Sequence, residues 1–519
     1  MESATVSAPT TGSAETGEKG LKKNAIGFLD GVAIGLASTA PAYSLAAVIG
    51  SIVVAVGIHA PGVLLLSFAP MFFIAAAFFY LNRADQDCGT TFSWVTRAMG
   101  PYLGFMGGWA ICTIGILVVG SLADVSAFYL FDLLALDELK KERVAVVSLA
   151  IVIIVVMTTI CVIGTEISAR LQRVLTFGQV GVLLLFAGVA LFEIVFGDAG
   201  PNSIDPELSW LSPFGVEYSG LLTGVLLAVF IYWGWESAVN LSEETEDSAR
   251  APGLAGLTST LVLLVTYVGV AVALIAFAGL AKIERFADNP GVLGAVAEDV
   301  LGPIAFLVVV AVIVSGISSA QTTILPGSRT SLSMATAGAL PRAFARIHPR
   351  FLTPDFGTIL VGALAIAWYV GASLVSDNFL FDSLSALSLL IAFYYGLTGI
   401  ACAIYYRREL LKSLRNFVFI GLAPVIGALM LFYLLFESAR DLADPKASYS
   451  GDALFGLGVP LVIALFFILL GVVLMIARRF AGGEEAKAFF ARRAFEAVPP
   501  EVATGKAAPI EGVTAPDEK

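Results

Sequence analysis

Phe230-Ile-Tyr-Trp-Gly-Trp-Glu236 sits near the middle of an apolar run, Ser219 to Leu241. That run is long enough to span a bilayer. Gly234 loosens a helix, and Glu236 costs about 2.5–3.5 kcal/mol at a helix centre on insertion scales. Side chains that expensive usually face a cavity, a partner or a ligand. The stretch therefore reads as a broken helix whose loose turn lines a binding site halfway across the membrane. The plain alternative is an interior helix with Gly234 at a close helix contact and Glu236 neutral.

The rest of the chain agrees with a membrane setting. Of 519 residues, 58% are hydrophobic and 14% charged, against nearer a quarter charged in a soluble protein of this size. The apolar residues fall into about twelve runs of 18 or more, which predicts an all-α polytopic membrane protein rather than a barrel of short alternating strands. A net charge of −11 does not suggest nucleic-acid binding. The cysteines Cys88, Cys112, Cys161 and Cys402 have no paired spacing and read as small apolar fillers. Phosphate-loop and zinc-hydrolase motifs are absent, so no metal or cofactor is expected.

The predicted spans are 26–56, 60–81, 101–134, 144–164, 174–197, 219–241, 255–281, 302–328, 357–375, 380–405, 417–437 and 453–477. Residues 1–24 read as a disordered tail ending in Lys19, Lys22 and Lys23, not a secretory signal. Residues 481–519 read as a polar tail, disordered beyond a short helix. With both ends on one side, 23 of the 30 Lys and Arg fall on that side and 7 on the other. This asymmetry places both termini in the cytoplasm.

The first span is also interrupted, at Ser38-Thr-Ala-Pro-Ala-Tyr43. Pro41 removes a backbone donor and is expected to orphan the Ala37 carbonyl. Two breaks five spans apart suit an inverted repeat, 26–197 against 219–405, with 417–477 added within a transporter domain of 25–480. An unwound turn offers N–H groups that suit an anion and carbonyls that suit an ammonium group. On this reading Ser38, Thr39, Ala40, Pro41, Ala42 and Tyr43 meet a carboxylate. The carbonyls of Phe230, Ile231, Tyr232, Trp233 and Gly234 meet an amine, and Phe230, Tyr232, Trp233 and Trp235 wall the pocket. Glu236 is read as a proton carrier, a gate or a structural carboxyl. Ser315, Ser318 and Ser319 serve helix packing or, alternatively, a sodium site. Gln179, Glu193 and Asp124 are further polar intrusions.

The loop Ser328-Arg-Thr-Ser-Leu-Ser-Met-Ala-Thr-Ala-Gly-Ala-Leu-Pro341 through His348-Pro-Arg-Phe-Leu-Thr-Pro354 resembles the cytoplasmic signature of amino acid permeases of the amino acid–polyamine–organocation superfamily. Cys88-Gly-Thr-Thr-Phe-Ser-Trp94 to Gly108-Trp109, and Gly234-Trp-Glu236 followed by Glu243-Glu-Thr, are similar to two further segments of that family. The resemblance covers about 25–480. It implies the leucine-transporter-like fold and alternating-access transport of amino acids or related amines. It also implies substrate contacts at both breaks and gating or proton response at Glu236. Ala337-Gly338 stands where many members have Asp-Gly, and Gln179 where some proton-coupled members have lysine.

The expected function is secondary transport of an amino acid, proton-coupled and inward across the cell membrane, and the lack of a charged pair at the breaks favours a neutral or apolar one. Exchange of an amino acid for an amine, or polyamine transport, is the alternative, and sodium symport ranks lower. A channel would favour symmetric pore-lining rings over two broken helices. An enzyme would need a nucleophile, base or metal constellation, and none stands out.

Overall fold

The computed structural model describes residues 18–197, 200–286, 290–375, 379–448 and 450–494. Residues 1–17 and 495–519 of the expected tails lie outside the described residues. Nearly everything described is helix, the exception being a small antiparallel pair, Ala453–Leu454 with Leu457–Gly458.

The first half comprises α1 (Phe28–Thr39), α2 (Pro41–Val56), α3 (Ala60–Ala84), α4 (Thr91–Met99), α5 (Pro101–Leu133), α6 (Arg143–Ile163) and α7 (Thr165–Phe196). The second half follows with α8 (Tyr218–Ile231), α9 (Ser237–Asn240), α10 (Ala251–Ala278), α11 (Phe306–Thr336), α12 (Asp355–Val375) and α13 (Phe379–Tyr405). Then come α14 (Ala423–Asp441), α15 (Val459–Ala481) and the short α16 (Glu484–Ala491). Proline opens several of these helices in the first turn, as Pro41, Pro101, Pro252 and Pro460 do. Its missing N–H is not needed there and its fixed φ suits the helix.

Ten described stretches are long and apolar enough to cross a membrane. The count falls below the expected twelve for two reasons. Phe28–Ala84 is one continuous 57-residue stretch holding α1, α2 and α3, and Tyr218–Ile231 is apolar but short. α5, α11 and α13 are mostly buried and form the centre. α6, α7 and α15 turn most of their apolar surface outward, where lipid contact favours it.

The described part of the chain starts earlier than the expected tail, 1–24, allows. Residues 18–24 are placed, and Leu21 is wholly buried against Cys88 and Leu332. The Ala25 and Ile26 amides donate to the Glu244 carbonyl at 2.8 and 3.2 Å, and Ile26 accepts from the Glu246 N–H at 2.9 Å. This segment is a strap across one face of the bundle.

Candidate functional site

The first break is one residue wide. Ser38 and Thr39 end α1, Pro41 opens α2, and Ala40 between them is left-handed at φ +50°. The carbonyls at the end of α1 are capped by neighbouring residues and by α11. Leu36 accepts from Thr39 Oγ1 at 2.7 Å, and Thr39 accepts from Ser44 Oγ at 2.7 Å. Ser38 accepts from Ser319 Oγ at 2.8 Å. The Ala37 carbonyl, expected to be orphaned by Pro41, accepts from the Ala40 N–H at 3.1 Å, because the left-handed turn folds that amide back. At the start of α2 the Tyr43 N–H donates to Ser315 Oγ at 3.2 Å. Among the described residues the Ala42 N–H has no acceptor.

The second break runs from Tyr232 to Glu236, between α8 and α9. Gly234 there has φ +118°, a conformation that L side chains rarely adopt. Among its carbonyls, Phe230 accepts from the Trp233 N–H, Ile231 from the Tyr267 hydroxyl and Gly234 from the Ser237 N–H. The Tyr232 and Trp233 carbonyls have no donor among the described residues.

The two breaks touch. A Cβ on Gly234 would lie 2.8 Å from the carbonyl carbon of Ser38. Ser38 Oγ and Ser237 Oγ share a hydrogen bond of 2.7 Å across 199 residues of sequence. Ser38, Thr39, Ala40, Pro41, Ala42, Tyr43, Phe230, Ile231, Tyr232, Trp233, Gly234 and Trp235 are all buried, so the structure brings the expected residues into one closed centre.

Glu236 is buried beside them, clamped by a pair the sequence reading missed. Tyr394 donates to Oε1, Tyr395 donates to Oε2 at 2.5 Å, and the Gly234 N–H donates to Oε2 at 3.1 Å. The Trp233 indole donates to the Tyr394 hydroxyl at 2.5 Å. The aromatics of the second break divide their work. Tyr232 packs on Phe68 and Tyr267, whereas Trp235 packs on Phe78 and Tyr395. Trp235 therefore supports the break from behind.

α11 supplies the glue. Ser315 and Ser319 serve the first break, and Ser318 Oγ donates to the Ser315 carbonyl at 3.2 Å. Gln172 on α7 reaches the same helix, donating to the Ser318 carbonyl and to Gln321. Gln179, two turns further along α7, is buried with neither end of its amide partnered among the described residues.

Below the strap lies an ionic lattice. Lys19 Nζ stands 2.7 Å from Glu243 and 3.0 Å from Asp87. Asp87, Cys88 and Glu243 have the spacing of a metal cluster, yet the cation among them is the ammonium of Lys19. Glu243 also accepts from the Cys88 N–H at 2.9 Å, and Asn240 reaches from α9 to the Cys88 carbonyl. Arg329 and Glu244 form an ion pair at 3.0 Å with both side chains buried. Removing one partner of such a pair costs about 3–5 kcal/mol. Burial lifts the Asp85 carboxyl to about 6, with Arg97 pulling it down and Asp87 pushing it up. Burial would also raise Asp87, but Lys19 and Arg97 hold it well below the usual carboxylate range.

Residues 31–459 match a family model described as amino acid permease. The chain is 25% identical over 379 residues to a methylthioribose transporter of Bacillus subtilis, covering 70% of this chain and 77% of the relative. It is 22% identical to the low-affinity putrescine importer PlaP of Escherichia coli, covering 72% and 79%. It is 24% identical to the branched-chain amino acid permease BcaP of Lactococcus lactis, covering 63% and 70%.

Proposed function

We propose, from the premise that the chain belongs to the amino acid permease family, that it carries an amino acid or related amine inward by alternating access, driven by protons. The observation that carries this reading is the contact between the breaks, Gly234 against the Ser38 carbonyl. Beside that contact the free Ala42 N–H suits a substrate carboxylate, and the free Tyr232 and Trp233 carbonyls suit its ammonium group. The relatives' named cargoes differ chemically, so a neutral amino acid is preferred on the site alone, which offers peptide groups and no unpaired side-chain charge.

Phe28–Ala84 is taken as two crossings and the broken α8–α9 segment as one, which makes twelve, with the repeat at 26–197 and 219–405. The strap face is taken as cytoplasmic from the 23-to-7 division of Lys and Arg. On that orientation the strap, the Lys19 lattice and the Arg329–Glu244 pair close the inner door. Glu236, holding three donors, fits a gate strut between the second break and α13 better than a free proton carrier. Ser315, Ser318 and Ser319 are read as packing hydroxyls, since each hydrogen-bonds a backbone group at or beside the first break.

The test is uptake of labelled amino acids and putrescine by purified protein in empty liposomes. The expected result is saturable uptake that grows when the outside is made acidic. Uptake that requires internal substrate would mean exchange, and non-saturating flux would mean a channel.

A further inference from the structure

Four membrane helices, α5, α11, α12 and α15, enclose with the loop after α11 a cavity of about 490 Å³. Its walls include Trp109, Ile116, Met334, Leu364 and Leu474. Leu364 and Leu474 are 42% and 40% exposed, so the groove opens along the outward side of two apolar membrane helices. At its polar end stands Arg478, at the end of α15. Its Nη2 donates to the Gly338 and Leu340 carbonyls at 3.2 and 3.0 Å. Its Nε is buried and has no partner among the described residues. The neighbouring carboxylate, Glu485, is held by Arg342.

A buried guanidinium N–H without an acceptor is costly, and a phosphate oxygen is a strong acceptor for it. An apolar channel capped by arginine at the edge of the hydrocarbon region matches the two ends of one molecule. We propose that this groove binds an anionic phospholipid. One acyl chain lies along Trp109, Ile116 and Leu364, and the phosphate accepts from Arg478 Nε. The orientation proposed above decides only that the lipid comes from the cytoplasmic leaflet. The binding does not depend on the transport reading.

The experiment reconstitutes the full chain into phosphatidylcholine discs with or without phosphatidylglycerol, extracts it into mild detergent and counts retained lipid by native mass spectrometry. Wild type should retain phosphatidylglycerol in preference to phosphatidylcholine. Arg478→Gln should weaken that retention about tenfold, one 1.4 kcal/mol step in binding free energy. Arg478→Lys, which keeps the charge, should restore most of it. Leu364→Trp, which fills the groove, should expel either lipid. Equal retention of both lipids, an unchanged Arg478→Gln, or a dimer that covers the groove with no lipid retained would overturn the proposal. Uptake is not read here, so either result leaves the transport reading where it stood.

Discussion

Three donors converge on Glu236, from Tyr394, Tyr395 and the Gly234 backbone. A carboxylate is tolerable inside the protein on such terms, because its oxygens are satisfied by groups that are themselves fixed. Glu236→Ala removes the acceptor and strands all three donors, each at a cost of about 1–3 kcal/mol. We expect a clearly lower thermal midpoint in detergent for that variant, with Glu236→Gln between it and wild type. A midpoint equal to wild type would show that the clamp holds nothing. Asp85 gives a pH prediction. The folded chain keeps the Asp85 proton up to about pH 6, whereas the unfolded chain releases it near 3.8. Folding thus holds an extra proton between those values, and this residue's contribution to stability falls as pH rises through them. Asp85→Asn mimics the protonated form. Its thermal midpoint should match wild type near pH 4 and exceed it increasingly towards about pH 7. Parallel pH profiles for the two proteins would contradict this.

The two breaks differ in how they are made, and so in how they respond to substitution. Gly234 combines φ +118° with a Cβ position 2.8 Å from Ser38. Gly234→Ala should push α1 and α8 apart and cut uptake by at least about tenfold, with membrane insertion retained on a blot. Ala40 sits at φ +50°, where a Cβ costs about 1–2 kcal/mol. Ala40→Gly should be neutral to mildly stabilising by thermal unfolding, and Ala40→Val destabilising. Gly234 was legible in the sequence because a glycine and a carboxylate at mid-span break the pattern of a lipid-facing helix. The first break was legible only through Pro41, and for a partly wrong reason. The proline starts a new helix, while the residue that breaks the old one is an alanine, which carries no sequence mark of a left-handed turn. Tyr394 and Tyr395 are not singled out by the sequence, since they lie in an apolar span, 380–405, that carries other aromatics. Two adjacent hydroxyls buried at that depth require acceptors, and that was the signal available.

At the scale of the molecule, the long apolar helices were readable because bilayer thickness imposes length and composition. The strap was not, since Leu21 is one apolar residue set among Lys19, Lys22 and Lys23 in a mostly polar tail. Its grip is testable. With the other three cysteines replaced, Cys88 lies buried under Lys19 and Leu21. Lys19→Ala should raise its labelling rate with a membrane-permeant maleimide several-fold, and an unchanged rate would mean that the strap does not limit access. The strap's partners also bear on biosynthesis. Glu243 lies 224 residues after Lys19. At 5–20 residues per second a ribosome needs roughly 11–45 seconds to reach it. Until then the strap has only its first-half partners, Asp87 and Cys88, and its full set of contacts forms after the second half has arrived.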